Sequence, residues 1–344
     1  MQMLKYFLIS CSALFLFACK NDSKKEASKE LNVYTHRHYE SDQQLFNFFE
    51  EKTGIKVNVI NASADELIQK MTLEGANSPA DVLITVDAGR LYRAKENDLL
   101  QPITSILLNE IIPSHLKDKE NYWFGVTKRA RIIVYAKERV TPEELSTYED
   151  LATEKWNKRL IVRSSGNIYN QSLMASILVN HDEGFAKKWS AGIVKNMARS
   201  PKGNDRDQVK AIFAGEGDIT IINTYYLGNM LDSDDSEEVK AATGVGVFFP
   251  NQESTGAHIN VSGAGVAKYA PNKENAIRFI EFLVSKDAQK IFALSNHEYS
   301  VNKNVPMSET LKSWGEFKED TLNLSLLGEN NKNAVILLDE TGWK

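Results

Sequence analysis

The chain has 344 residues, 42% of them hydrophobic and 25% charged, with a formal net charge of −5 at pH 7. That length suits two domains or lobes, and a mildly acidic balance with no basic stripe of interleaved aromatics argues against nucleic acid as a partner. The two cysteines, Cys11 and Cys19, both lie near the amino terminus. The body of the chain therefore has no disulfide, no thiolate zinc site and no cysteine nucleophile.

Lys5 followed by an apolar run from Tyr6 to Ala18 has the layout of a secretory signal peptide. The run is too short to span the ~30 Å core of a bilayer comfortably. Leu16-Phe17-Ala18-Cys19 looks like a lipobox, the cleavage site of bacterial lipoproteins. On that reading residues 1–18 are the signal peptide and Cys19 is the lipidated first residue of the mature protein. Residues 19–30 are polar and read as a flexible tether. No other segment is apolar enough to cross a membrane.

From Leu31 onward the pattern is β-α-β-α. Leu31–Tyr34 is a short strand that ends in Thr35-His36-Arg37-His38-Tyr39. Asp42 can cap the helix that follows, and Gly54 ends it. Ile55–Ile60 alternates as a strand, Ala64–Gly75 is an amphipathic helix, and Ala80–Val86 is a nearly continuous apolar strand of the kind buried in parallel sheets. Asp87–Asn97 is the next helix. A second series includes strands at Ile132–Tyr135 and Trp156–Val162, then helices through Leu173–Leu178, Gly184–Met197 and Asn204–Phe213. Ile219, Ile221 and Ile222 mark a buried strand that stops at Asn223–Thr224, with Tyr225–Met230 opening a helix. Val245–Pro250 and His258–Val266 are strands, and Asn272–Ser285 and Asp287–Ser295 are helices. The pattern predicts two α/β lobes, each an open, mostly parallel or mixed sheet. They are joined by extended crossovers near Ile132–Tyr135 and Gln252–His258. The amino-terminal lobe is expected at 31–132 plus 256–300, and the carboxy-terminal lobe at 133–255 plus 301–344.

Three tyrosine-bearing loops follow strands: His36–Tyr39, Gly166–Tyr169, and the pair Tyr225–Tyr226. Carboxyl ends of strands are where open α/β sheets bind ligands. If the loops of two facing lobes converge, one imidazole and four phenols meet. Any one of these tyrosines could equally be an ordinary packing residue, and Tyr169 alone would read as structural. As a set they form a hard oxygen site suited to a highly charged cation, with Fe³⁺ the natural candidate. Ca²⁺ more often recruits carboxylates and carbonyls, Mg²⁺ keeps waters, and Zn²⁺ recruits His and Cys. Enzyme signatures are missing from the sequence: no Gly-x-Ser-x-Gly, no phosphate loop and no His-Glu-x-x-His. The acidic pairs Asp234–Asp235 and Glu237–Glu238 read as solvated surface.

On these residues the chain resembles the periplasmic ferric-iron-binding proteins, the solute receptors of Fe³⁺ ABC transporters. It is most similar to the branch with an Arg-His-Tyr motif, here Arg37-His38-Tyr39. Further resembling runs are Pro79–Leu83, Asn97–Pro102, Asn204–Gln208 and Asn260–Gly265. The resemblance implies a two-lobed periplasmic-binding-protein (type II) fold with hinge crossovers. It implies metal ligands at Tyr39, Tyr169, Tyr225 and Tyr226, with His38 as the fifth and His36 a solvated loop residue. Arg37 would contact an anion or a phenolate, or be solvated. Arg131 and Arg206 would offset the negative charge of the cluster, or form surface salt bridges. Five protein ligands argue against an obligatory anion, although carbonate could fill a sixth position. The implied protein is not an enzyme. It is a monomeric lipoprotein of the periplasm or cell surface that hands Fe³⁺ to an ABC permease. The alternatives are a receptor of the same fold for a polyamine, phosphonate or sugar, and an extracellular metal-dependent enzyme.

Overall fold

The computed structural model describes residues 28–344. The expected signal peptide, Cys19 and nearly all of the tether lie outside the described residues. Glu30, expected at the end of the tether, already belongs to the first strand. Asn275 Nδ2 holds the carbonyls of Ser28 and Glu30 at 2.8 and 2.9 Å.

The first series is β1 (Glu30–Thr35), α1 (Glu40–Thr53), β2 (Lys56–Asn61), α2 (Ala64–Glu74), β3 (Val82–Val86), α3 (Ala88–Glu96), β4 (Leu100–Gln101) and α4 (Ile106–Ile111). β1 lies parallel to both β2 and β3. Asp42 sits inside the first turn of α1 rather than at its cap, and its Oδ2 accepts the Tyr39 N–H at 3.0 Å. The second series is β5 (Phe124–Ala136), β6 (Leu160–Ile161), α5 (Ile168–Asn180), α6 (Glu183–Asn196), α7 (Asp205–Phe213), β7 (Ile219–Asn223), α8 (Thr224–Leu231), α9 (Ser236–Thr243) and β8 (Val245–Phe248). The chain then returns through β9 (Ile259–Ala267), α10 (Lys273–Leu283), α11 (Lys286–Asn296) and β10 (Tyr299–Ser300). It ends in α12 (Glu309–Ser313), α13 (Ser325–Glu329) and α14 (Asn331–Glu340).

The strands run in the order β2-β1-β3-β9-β5-β7-β6, a curled mixed sheet. β5 is its spine. From Phe124 to Ala130 it pairs antiparallel with β9, and from Arg131 to Ala136 with β7 and β8. The chain therefore passes from one α/β half to the other at Ala130–Arg131. The return from β8 to β9 is tied to the same point. The Tyr148 hydroxyl donates to the Arg131 carbonyl at 2.5 Å and accepts the His258 N–H at 3.1 Å, while Arg131 N–H donates to the His258 carbonyl at 2.8 Å. A buried phenol thus holds both crossovers together.

Two of the resembling runs are structural fasteners. Asp81 accepts the N–H groups of Asn32 (2.7 Å) and Asn272 (2.6 Å). Asn260 accepts the Ala88 N–H at 2.9 Å and donates to Asp87 at 2.9 Å. Asp87 caps α3 from a left-handed backbone (φ 79°), unusual for a residue other than glycine. Among the described residues no helix is long and apolar enough to cross a membrane.

Candidate metal centre

Three helices begin at the cleft, and each carries tyrosine at its cap or in its first turn. Tyr39 is the residue at which α1 starts, Tyr169 is the second residue of α5, and Tyr225 and Tyr226 are the second and third of α8. The sequence explains the arrangement locally. β7 is buried throughout and mostly isoleucine, ends at Asn223, and turns directly into α8. Asn167 caps α5 by accepting the Tyr169 N–H at 3.0 Å. Helix amino termini carry unpaired N–H groups and the positive end of the dipole.

The four rings meet across the two halves. Tyr169 Oη lies 3.2 Å from Tyr225 Oη. The Tyr225 and Tyr226 rings are 4.3 Å apart, and the Tyr39 ring meets Tyr225 edge-on at 6.2 Å. Tyr169 and Tyr225 are 8% and 4% exposed. His38 is exposed at the margin of this cluster, stacked on the Tyr39 ring at 5.4 Å. His36, expected in solvent, is half-buried instead. Burial, then the nearby Arg90, pushes its imidazole down to about 4.

Burial pushes the Tyr39 phenol up to about 12. It also raises Tyr225 and Tyr226, and the neighbouring phenols add to the effect because each disfavours ionisation of the next. Without a cation these three phenols keep their protons at neutral pH. A cation that binds them must displace protons and supply enough charge to hold several phenolates together. Among the described residues no group of three His, Cys, Asp or Glu is placed to hold a metal ion.

Two of the three arginines singled out in the sequence are arranged differently from the expectation. Arg37 is neither solvated nor hydrogen-bonded to a phenol. It is buried, forms an ion pair with Asp42 (2.8 Å) and a fork on Glu298 (3.0 and 2.8 Å), and places its guanidinium 5.1 Å from the centre of the Tyr39 ring. Arg131 is no surface residue either. It is buried, pairs with Asp205 at 3.0 Å, and lies 5.7 Å from the Tyr169 ring centre. Arg206 is the partly exposed one and forms the expected salt bridge, to Glu238 at 2.5 Å. Two arginines that the sequence reading missed do reach the cluster. Arg129 and Arg163 stand 5.6 and 5.8 Å from the Tyr169 ring centre. Arg163 shares Asp205 with Arg131. Arg129 was legible, because it lies two residues from Arg131 on a strand and alternate strand residues share a face.

Fold and site together define an extracytoplasmic solute receptor. Residues 44–319 match the family of bacterial extracellular solute-binding proteins, and the chain belongs to that family. Within it the chain falls among the periplasmic ferric-iron-binding proteins. Iron uptake protein A1 of Synechocystis sp. is 51% identical over 316 residues, covering 92% of this chain and 88% of that protein. A Trichodesmium protein (IdiA, FutA), solved in complex with iron and citrate ligands, superposes with a TM-score of 0.90 at 52% identity, covering 92% of this chain and 100% of the other. The ferric binding protein of Campylobacter jejuni superposes with a TM-score of 0.87 at 44% identity, covering 91% and 100%. The fold is the two-lobed type II form. These relatives are iron-binding transport proteins, not enzymes.

Proposed function

We propose that this chain is a lipid-anchored receptor that captures Fe³⁺ between its lobes and delivers it to an ABC permease. Tyr169, Tyr225 and Tyr226 hold the ion on the carboxy-terminal lobe, and Tyr39 and His38 close over it from the amino-terminal lobe. The observation that carries this reading is the convergence of four phenols at three helix amino termini, with Tyr169 Oη and Tyr225 Oη 3.2 Å apart. Phenolate oxygens are hard donors and a trivalent ion is the hard acceptor that suits them. Closure selects one of two pre-existing arrangements, and the ion stabilises the closed one because only there do both lobes contribute ligands. The lobes are 31–132 plus 256–300 and 133–255 plus 301–344, and the chain acts as a monomer tethered through Cys19 in the periplasm or at the cell surface. Carbonate or another small anion fills any coordination position the protein leaves open.

Iron retention tests the ligand set. Protein loaded with ferric citrate and desalted should keep equimolar iron, and the double variant Tyr225→Phe, Tyr226→Phe should lose it while keeping its circular dichroism spectrum. Equal retention by the folded double variant would remove the pair from the site.

A further inference from the structure

We infer that Arg129 is the counter-charge of the tyrosine site, a buried cation that the fold leaves without an anion of its own and that the loaded cleft completes. The inference rests on the Fe³⁺ reading above. It begins from a difference among the buried or half-buried arginines around the cluster. Arg37 lies between Asp42 and Glu298, and Arg131 and Arg163 share Asp205. Arg129 has no carboxylate partner among the described residues. It is 1% exposed, its Nη1 reaches Ser262 Oγ only at 3.4 Å, and its Nε and Nη2 have no hydrogen-bond partner. The Ser262 hydroxyl is already engaged, accepting from Arg37 Nη1 at 2.7 Å and donating to Glu298 at 3.3 Å.

A buried cation without a partner destabilises a fold, and such groups persist where another state of the protein satisfies them. The phenols beside it are the candidates. Arg129 is fixed on β5 opposite Asn260, immediately before β5 changes partners, with its guanidinium 5.6 Å from the centre of the Tyr169 ring. The Tyr169 oxygen in turn touches Tyr225. A neutral phenol offers the guanidinium only its ring face. Four phenolates around a trivalent ion carry one negative charge in excess, and a fixed guanidinium beside them offsets it at close range in a water-poor site. Arg129 lies against the Tyr169 ring, so its proposed role is positioning and charge balance.

The test compares wild type, Arg129→Met and Arg129→Lys in two measurements. One is the melting temperature of the iron-free protein. The other is Fe³⁺ affinity, from competition with citrate followed by visible absorption. Removing the charge should weaken Fe³⁺ binding by on the order of tenfold or more. It should leave the iron-free protein at least as stable as wild type, and the lysine variant should recover most of the affinity. Wild-type affinity in Arg129→Met would overturn the inference. So would a loss of affinity that the lysine variant shares and that comes with a lower melting temperature in both. Failure of the wild-type protein to bind iron would count against the Fe³⁺ reading instead.

Discussion

A phenylalanine at position 226 would preserve almost every packing contact of Tyr226 and remove one oxygen. That oxygen belongs to a half-buried phenol beside three others, and the proposed function makes it a ligand. Tyr226→Phe should weaken Fe³⁺ binding by on the order of tenfold or more, with the melting temperature of the iron-free protein unchanged or raised. Unchanged affinity would take Tyr226 out of the site. The protonation of the cluster gives a second expectation. Tyr39 is pushed up to about 12, and Tyr225 and Tyr226 are raised as well, so binding exchanges protons for the ion. Affinity should therefore fall as pH falls, by up to about tenfold per pH unit for each proton released. An affinity flat between pH 6 and 8 at fixed chelator speciation would contradict phenolate ligation. Glu298 supports the same site from behind, through its fork on Arg37 under Tyr39. Glu298→Ala leaves buried Arg37 with Asp42 as its one remaining carboxylate partner and should destabilise the fold by about 3–5 kcal/mol, read from denaturant unfolding.

At the scale of elements, the site was most legible where a strand and its helix announce themselves together. The apolar run Ile219–Ile222, broken by Asn223–Thr224, is visible in sequence because β7 is buried on both faces and needs no polar alternation. β5 was read as only Ile132–Tyr135 because Thr127, Arg129 and Arg131 interrupt its apolar pattern. Those polar groups are buried by lobe-to-lobe pairing, which no local window reveals. The expected strand Trp156–Val162 contracts to Leu160–Ile161, since Glu154–Trp156 forms a 3-10 turn and Lys158 takes φ 59°. The surroundings of His297 were equally hidden. It sits at φ 48° after α11, between Ser308 (3.2 Å) and Asp232 (2.8 Å), and packs against Gly228 of α8. A methyl group on Gly228 would approach the His297 ring to 2.6 Å. Gly228→Ala should shift the helix that carries both paired tyrosines and speed iron loss to a chelator. An unchanged off-rate would show that α8 tolerates the shift.

For the whole molecule, the two halves meet directly. Ser172 of α5 donates to Asp87 beside α3 at 2.6 Å, and Asn229 of α8 donates to Asn296 of α11 at 2.8 Å. With Tyr39 already against Tyr225, phenols of both halves adjoin one another, and the Tyr169 and Tyr225 oxygens lie 3.2 Å apart. The two-lobed α/β plan followed from the alternation of strands and helices. The arginine shell as a whole did not, because Arg129 and Arg131 on β5 meet Arg163, from the loop between β6 and α5, only in the folded chain. Visible absorption shows whether the meeting phenols hold Fe³⁺. Titrating the purified mature domain with ferric citrate should produce a broad phenolate-to-iron charge-transfer band that saturates at one iron per protein and is bleached by dithionite. A protein that stays colourless and binds no saturable iron would contradict the account.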